Sequence, residues 1–128
     1  MKRESRGLPK PWWYMAGIGC VLLTTALAAS RGVAERGRPV YQRYCAPCHG
    51  SSGTGSGYNA PALQELKITP RNHTQKEVMQ RLTDEELYRA IAYGRVDLRK
   101  RAVMPAWGRT LTPEQIWDLI AYIRTLAR

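Results

Sequence analysis

The sequence predicts a small all-α domain preceded by one hydrophobic amino-terminal helix. Apolar residues recur at helical spacing behind helix-start signals, and no stretch alternates apolar and polar residues as a half-buried strand would. Ahead of the domain, Pro11 to Ser30 runs for twenty residues without a charge. A chain of 128 residues allows one such domain, whose own core is limited in size.

Residues 1–10 carry Lys2, Arg3, Arg6 and Lys10 and read as a basic cytoplasmic tail. Residues 11–30 are long enough for a transmembrane helix, which needs about 20 apolar residues. Trp12, Trp13 and Tyr14 stand at one end, where amphipathic rings favour the membrane interface. The same stretch shares features with a secretory signal, a basic start and a small-residue site at Ala26-Leu27-Ala28. Its uncharged length exceeds the ~7–15 residues of a signal core, which favours an uncleaved anchor. Cys20 lies inside this run and reads as a small buried or lipid-facing residue, since Gly17-Ile18-Gly19 lacks a lipoprotein leucine. Residues 31–38, with Arg31, Arg36 and Arg38 among Gly32 and Gly37, read as a tether, and 39–128 as the domain.

Within the domain, Pro39 suits the first turn of a helix whose inward face is Val40, Tyr41 and Tyr44. Residues 50–57 hold four glycines and three serines and must be a loop. Lys76 to Arg81 suits a short turn, with Met79 as flexible core filler. Thr83 and Glu86 form a capping box before Leu87, Ala90 and Ile91, and Gly94 can end that helix with a left-handed residue. Thr112, Pro113 and Gln115 open a last helix, in which Ile116, Leu119, Ile120, Ile123 and Leu126 share a face.

Cys45-Ala46-Pro47-Cys48-His49 carries the chemistry. Cys-x-x-Cys-His is the spacing at which two thiols join one haem and the next residue ligates its iron. The cysteines sit a helical turn apart, so both sulfurs reach one edge of a porphyrin while His49 approaches the metal. A thioredoxin-like reading lacks its strand-helix-strand setting, and a zinc reading lacks a second ligand pair. Covalently bound haem c would complete the limited core.

The pattern Gly37-x-x-x-Tyr41-x-x-x-Cys45-x-x-Cys48-His49, then Pro61-Ala62-Leu63, then Met104-Pro105 and a final amphipathic helix, resembles a class I cytochrome c over about Gly32 to Arg128. The resemblance implies a cytochrome c-like helical domain around one haem, with His49 and Met104 as axial ligands. It implies that the Pro61 carbonyl orients His49, in keeping with the rule that a metal-bound histidine gives its second ring proton to an acceptor. It also places Pro61 and Leu63 at the cofactor, and brings the last helix close to the first at Gly37, with Tyr41 meeting Leu119 and Tyr122.

His73 competes with Met104 for the sixth position. Met104 is favoured because it lies in a loop before Pro105, and because bis-histidine ligation would lower the reduction potential. Trp107 is placed beside the haem edge or, equally, in plain core packing.

The formal charge is +10, and Arg31 to Arg128 holds sixteen Lys/Arg against nine Asp/Glu. Such a field favours an acidic redox partner or an anionic membrane surface. Arg95, Arg99, Lys100 and Arg101 crowd the approach to Met104, where a basic rim could dock an acidic protein or serve only as a solvated loop. Nucleic acid is not expected, since no basic run carries interleaved aromatics. Arg31, Arg36, Arg38 and Arg43 make both flanks of the anchor basic, so orientation follows from chemistry. The resemblance implies haem attachment outside the inner membrane, hence a periplasmic domain. The expected activity is single-electron carriage, as a shuttle or as the cytochrome subunit of a respiratory complex, rather than enzymatic catalysis. The alternative is a ligand-binding or peroxidatic haem protein with the sixth position open.

Overall fold

In the computed structural model, which describes residues 31–96 and 102–128, a first and a last helix cross at a glycine and frame the domain. In order, the described elements are α1 (Ala34–Tyr44), α2 (Ala46–His49), α3 (Ala60–Glu65), α4 (Lys76–Met79), α5 (Asp84–Tyr93), β1 (Arg95–Val96), β2 (Ala102–Met104) and α6 (Pro113–Leu126). The expected anchor over 11–30 and the cations Arg99, Lys100 and Arg101 lie outside the described residues. Among the described residues no helix is long and apolar enough to cross a membrane.

The crossing of α1 and α6 needs bare backbone. A Cβ on Gly37 would overlap the carbonyl of Asp118, and one on Gly32 would overlap that of Trp117. Close approach lets Tyr41 reach the centre of the core, where it, Met79, Ile116, Leu119 and Ile120 are the largest fully buried side chains. Tyr41 meets Tyr122 with ring centroids 5.2 Å apart, as the resemblance implies. Asp118, itself buried, locks the same crossing from the polar side. Its carboxylate accepts from the Val33 backbone N–H at 2.7 Å and from two nitrogens of Arg36 at 2.7 and 2.8 Å. These bonds, with the Arg36 hydrogen bond first, hold its carboxyl below the ordinary range.

The same contacts explain a correction at the start of the domain. Residues 34–38, expected as tether, are already helical, and Pro39 lies inside α1 instead of at its first turn. Proline there removes one helical hydrogen bond, a local cost. Burial of Gly37 and the Asp118 bonds outweigh it.

Both capping boxes form. Thr83 Oγ1 accepts from the Glu86 N–H at 3.2 Å and Thr112 Oγ1 from the Gln115 N–H at 3.3 Å, and each N3 side chain accepts from its cap residue's N–H. Arg124 of α6 donates to the carbonyls of Met79 (2.6 Å) and Leu82 (2.5 Å), tying the turn between α4 and α5 to the last helix.

The domain is mostly helical, not wholly so. β1 and β2 pair antiparallel, Arg95 with Met104 and Val96 with Ala102, and Val103 is the extra residue of a bulge. Gly94 makes this possible. Its φ of 72° and ψ of −173° are not the left-handed helix-ending geometry expected from the sequence but an extended turn that strongly favours glycine.

Candidate functional site

Cys45 stands at the junction of α1 and α2, where its N–H still bonds the Tyr41 carbonyl (2.9 Å) and its own carbonyl accepts from His49 (2.8 Å). The helix thus carries on past a slight break, and Cys45, Cys48 and His49 share one turn as their spacing requires. Both thiols are free, Cys45 buried and Cys48 half-buried. Burial, with Cys48 alongside, pushes the Cys45 thiol up to about 12.

The glycine-rich loop wraps back over α2. Gly55 N–H bonds the His49 carbonyl at 2.7 Å, Gly57 N–H that of Cys48 at 3.1 Å, and Asn59 N–H that of Pro47 at 2.9 Å. Gly53 and Gly55 adopt φ of 82° and 87°, and a Cβ on Gly55 would lie 2.7 Å from the Pro70 carbonyl. The loop can therefore bring residues 70–73 against His49. His73 N–H closes the approach on the Gly53 carbonyl at 2.7 Å.

His49 Nδ1 lies 3.0 Å from the carbonyl of Arg71. A carbonyl only accepts, so Nδ1 carries the proton and Nε2 is left with its lone pair, the state a metal ligand requires. The acceptor corrects the expected one: Pro61 is exposed at the start of α3, and Leu63 is half-buried on the same short helix. Desolvation by burial lowers the His49 pKa, which keeps the ring neutral.

His73 occupies a place no motif announced. It is 7% exposed, its ring lies flat on His49 with centroids 4.4 Å apart and 16° between planes, and its Nδ1 is 3.1 Å from the Tyr41 hydroxyl. Burial first, then His49 and Arg71, lowers its pKa to about 3. Stacked face to face, the His73 ring lies beside the His49 imidazole and not in line beyond its Nε2. Tyr41, whose hydroxyl is kept protonated by burial, joins the array.

Met104 is half-buried at the end of β2 and packs against the core. Its loop is pinned to α5. Trp107 N–H bonds the Ile91 carbonyl and Gly108 N–H the Ala92 carbonyl, both at 2.9 Å, so the orphan carbonyls at the end of α5 hold the methionine loop. Gly94 backs closely onto it, since a Cβ there would lie 2.6 Å from the Met104 carbonyl. Trp107 rests on Tyr44 with centroids 5.2 Å apart and is half-buried.

The donor set fits a haem c: paired thiols and a correctly protonated imidazole on one helical turn, and a thioether held on a separate loop. A family model described as cytochrome C oxidase, cbb3-type, subunit III, matches residues 32–123. The fold is similar to the solved structure of the KustC0563 c-type cytochrome, with TM-score 0.56 and 23% identity, covering 72% of this chain and 98% of that one. It is also similar to a chain of the Kuenenia stuttgartiensis reducing HAO-like protein complex Kustc0457/Kustc0458, with TM-score 0.58 and 32% identity over 76% of this chain. The match spans 44% of that protein's length. No curated protein sequence matches the chain.

Proposed function

The chain belongs to the family described as cytochrome C oxidase, cbb3-type, subunit III, and from that premise we propose that it is a single-electron carrier with one covalent haem c. When bound, haem c supplies an iron that takes up and gives back one electron. Cys45 and Cys48 would hold it by thioether bonds, and His49 would offer Nε2 to the metal because Arg71 holds the proton on Nδ1. Met104, carried on the loop that α5 pins, would be the second ligand. Two protein ligands would leave the metal no open site, which favours carriage over catalysis.

The observation that carries this reading is the fixed tautomer of His49 on the same helical turn as two free thiols. In the purified protein, haem should survive acidified-solvent extraction, and Cys45→Ser with Cys48→Ser should release it. The reduced wild type should resist carbon monoxide. Haem that extracts freely from the wild type, or rapid carbon monoxide binding, would contradict the proposal.

The chain is further proposed to be anchored by residues 11–30 in the inner membrane, with the haem domain periplasmic, from the uncharged length of that stretch. Amino-terminal sequencing of the native protein tests it, a mature chain starting at Ala29 or Ser30 being the contrary result. The basic surplus suits an acidic redox partner or complex subunit, and one similar structure is described as part of a protein complex. Electron transfer to an acidic partner should slow as salt rises, because ~0.15 M ions screen exposed charges beyond about 8 Å. A salt-independent rate would point to fixed subunit contact.

A further inference from the structure

The plane of the His49 ring is constrained from more than one side. The bond from Nδ1 to the Arg71 carbonyl fixes the tautomer and holds the ring at one edge, and a contact on a ring face limits its turning about the metal bond further. Rotation is opposed by something that lies flat against a ring face. In this chain that is His73, two residues after Arg71, stacked within 16° of parallel.

We propose that Tyr41 and His73 are positioning residues that hold the plane of the His49 imidazole about its metal bond, a reading that rests on His49 being the axial ligand. His73 is itself held on three sides. Its N–H is bonded to the Gly53 carbonyl at 2.7 Å, and the following Thr74 N–H is bonded to Asn72 Oδ1 at 2.9 Å. Its ring is bonded through Nδ1 to the Tyr41 hydroxyl at 3.1 Å and meets the Tyr41 ring edge-on at 5.8 Å. Tyr41 is 0% exposed on α1, at the α1–α6 crossing, so the rigid frame of the domain reaches the imidazole through two side chains. Gly53 is close-packed here, since a Cβ there would lie 2.9 Å from Leu126 Cδ1 and 3.3 Å from the His73 Cβ. An axial imidazole's plane selects which iron orbital holds the unpaired electron in the ferric state, and hence how spin spreads over the porphyrin.

The test is the proton NMR spectrum of the oxidised, haem-loaded protein, where the spread among the haem methyl resonances reports that plane. His73→Ala should change the spread and reorder the methyls. Tyr41→Phe, which keeps the core ring and loses only the hydroxyl, should move the spread in the same direction by less. His73→Phe restores a flat ring and should lie nearer wild type than His73→Ala. Identical methyl patterns in wild type, His73→Ala and Tyr41→Phe, each loaded with haem, would overturn the proposal even if the variants lose stability. Failure of the axial assignment is seen separately. If His49→Ala leaves the iron's low-spin spectrum intact, His49 is not the ligand, whatever the methyl pattern does.

Discussion

The two sides of the site are built differently. On the His49 side every backbone constraint comes from deep in the fold: α2 continues α1, the glycine-rich loop bonds back onto three carbonyls of 47–49, and residues 71–73 close on the imidazole from its edge and its face. On the Met104 side a short two-stranded ribbon and two hydrogen bonds to the end of α5 hold the loop, with Val96 and Tyr93 exposed beside it. On the proposed ligation, retention and ligation should be separable: damage to the first side should unseat the cofactor and the fold together, while damage to the second should detach a ligand and leave the domain standing.

The largest effect is expected at Gly37. Gly37→Ala puts a methyl group into the Asp118 backbone, and the helices must part. The loss of stability should be at least about 1–3 kcal/mol, the usual range for overpacking a tight site. Chemical denaturation of the haem-loaded variant checks it. A midpoint equal to wild type would mean that the crossing has slack.

Gly94→Ala should divide the two regions more sharply. Its φ of 72° would cost a side chain about 1–3 kcal/mol, and the added Cβ would press on the Met104 carbonyl. Haem attachment should persist while methionine ligation weakens, seen as a fainter far-red band in the oxidised protein and new carbon monoxide binding in the reduced one. If the haem itself is lost, the two sides are not independent.

Acid should also weaken the helix crossing. The folded-state pKa of Asp118 is lowered, so its contribution is complete above its unfolded value, about 4, and is lost as pH falls through the lower folded one. Asp118→Ala should forfeit about 1–3 kcal/mol at neutral pH by leaving the Val33 N–H unpaired. It should also flatten the acid limb of the stability curve, measured by denaturation between pH 6 and 3, roughly the range a carboxylate governs. An unchanged acid limb would assign it to other groups.

What could be read from residues alone follows the same division. The last helix was legible because Ile116, Leu119, Ile120 and Ile123 repeat at helical spacing behind a capping box, and the Cys-x-x-Cys-His turn because its spacing is itself the chemistry. The start of α1 was not, because Asp118, far along the chain, supplies the bonds that extend the helix past Pro39. The acceptor for His49 was misplaced at Pro61 for a like reason: two glycines of positive φ fold the loop so that Arg71, 22 residues on, reaches the ring. The ribbon escaped notice because strands of two and three residues are too short to show alternation. His73 carried one signal, being the only histidine outside the motif, and that signal could not distinguish a trans ligand from a neighbour of the proximal ring.

The central claim is that His49 and Met104 hold the iron from opposite sides, and one spectrum tests it most directly. The oxidised wild-type protein should show the weak charge-transfer band of methionine sulfur on iron at the red end of the visible range, and Met104→Ala should abolish it with haem still attached. A band that survives Met104→Ala, or that disappears with His73→Ala while Met104 is intact, would contradict the account.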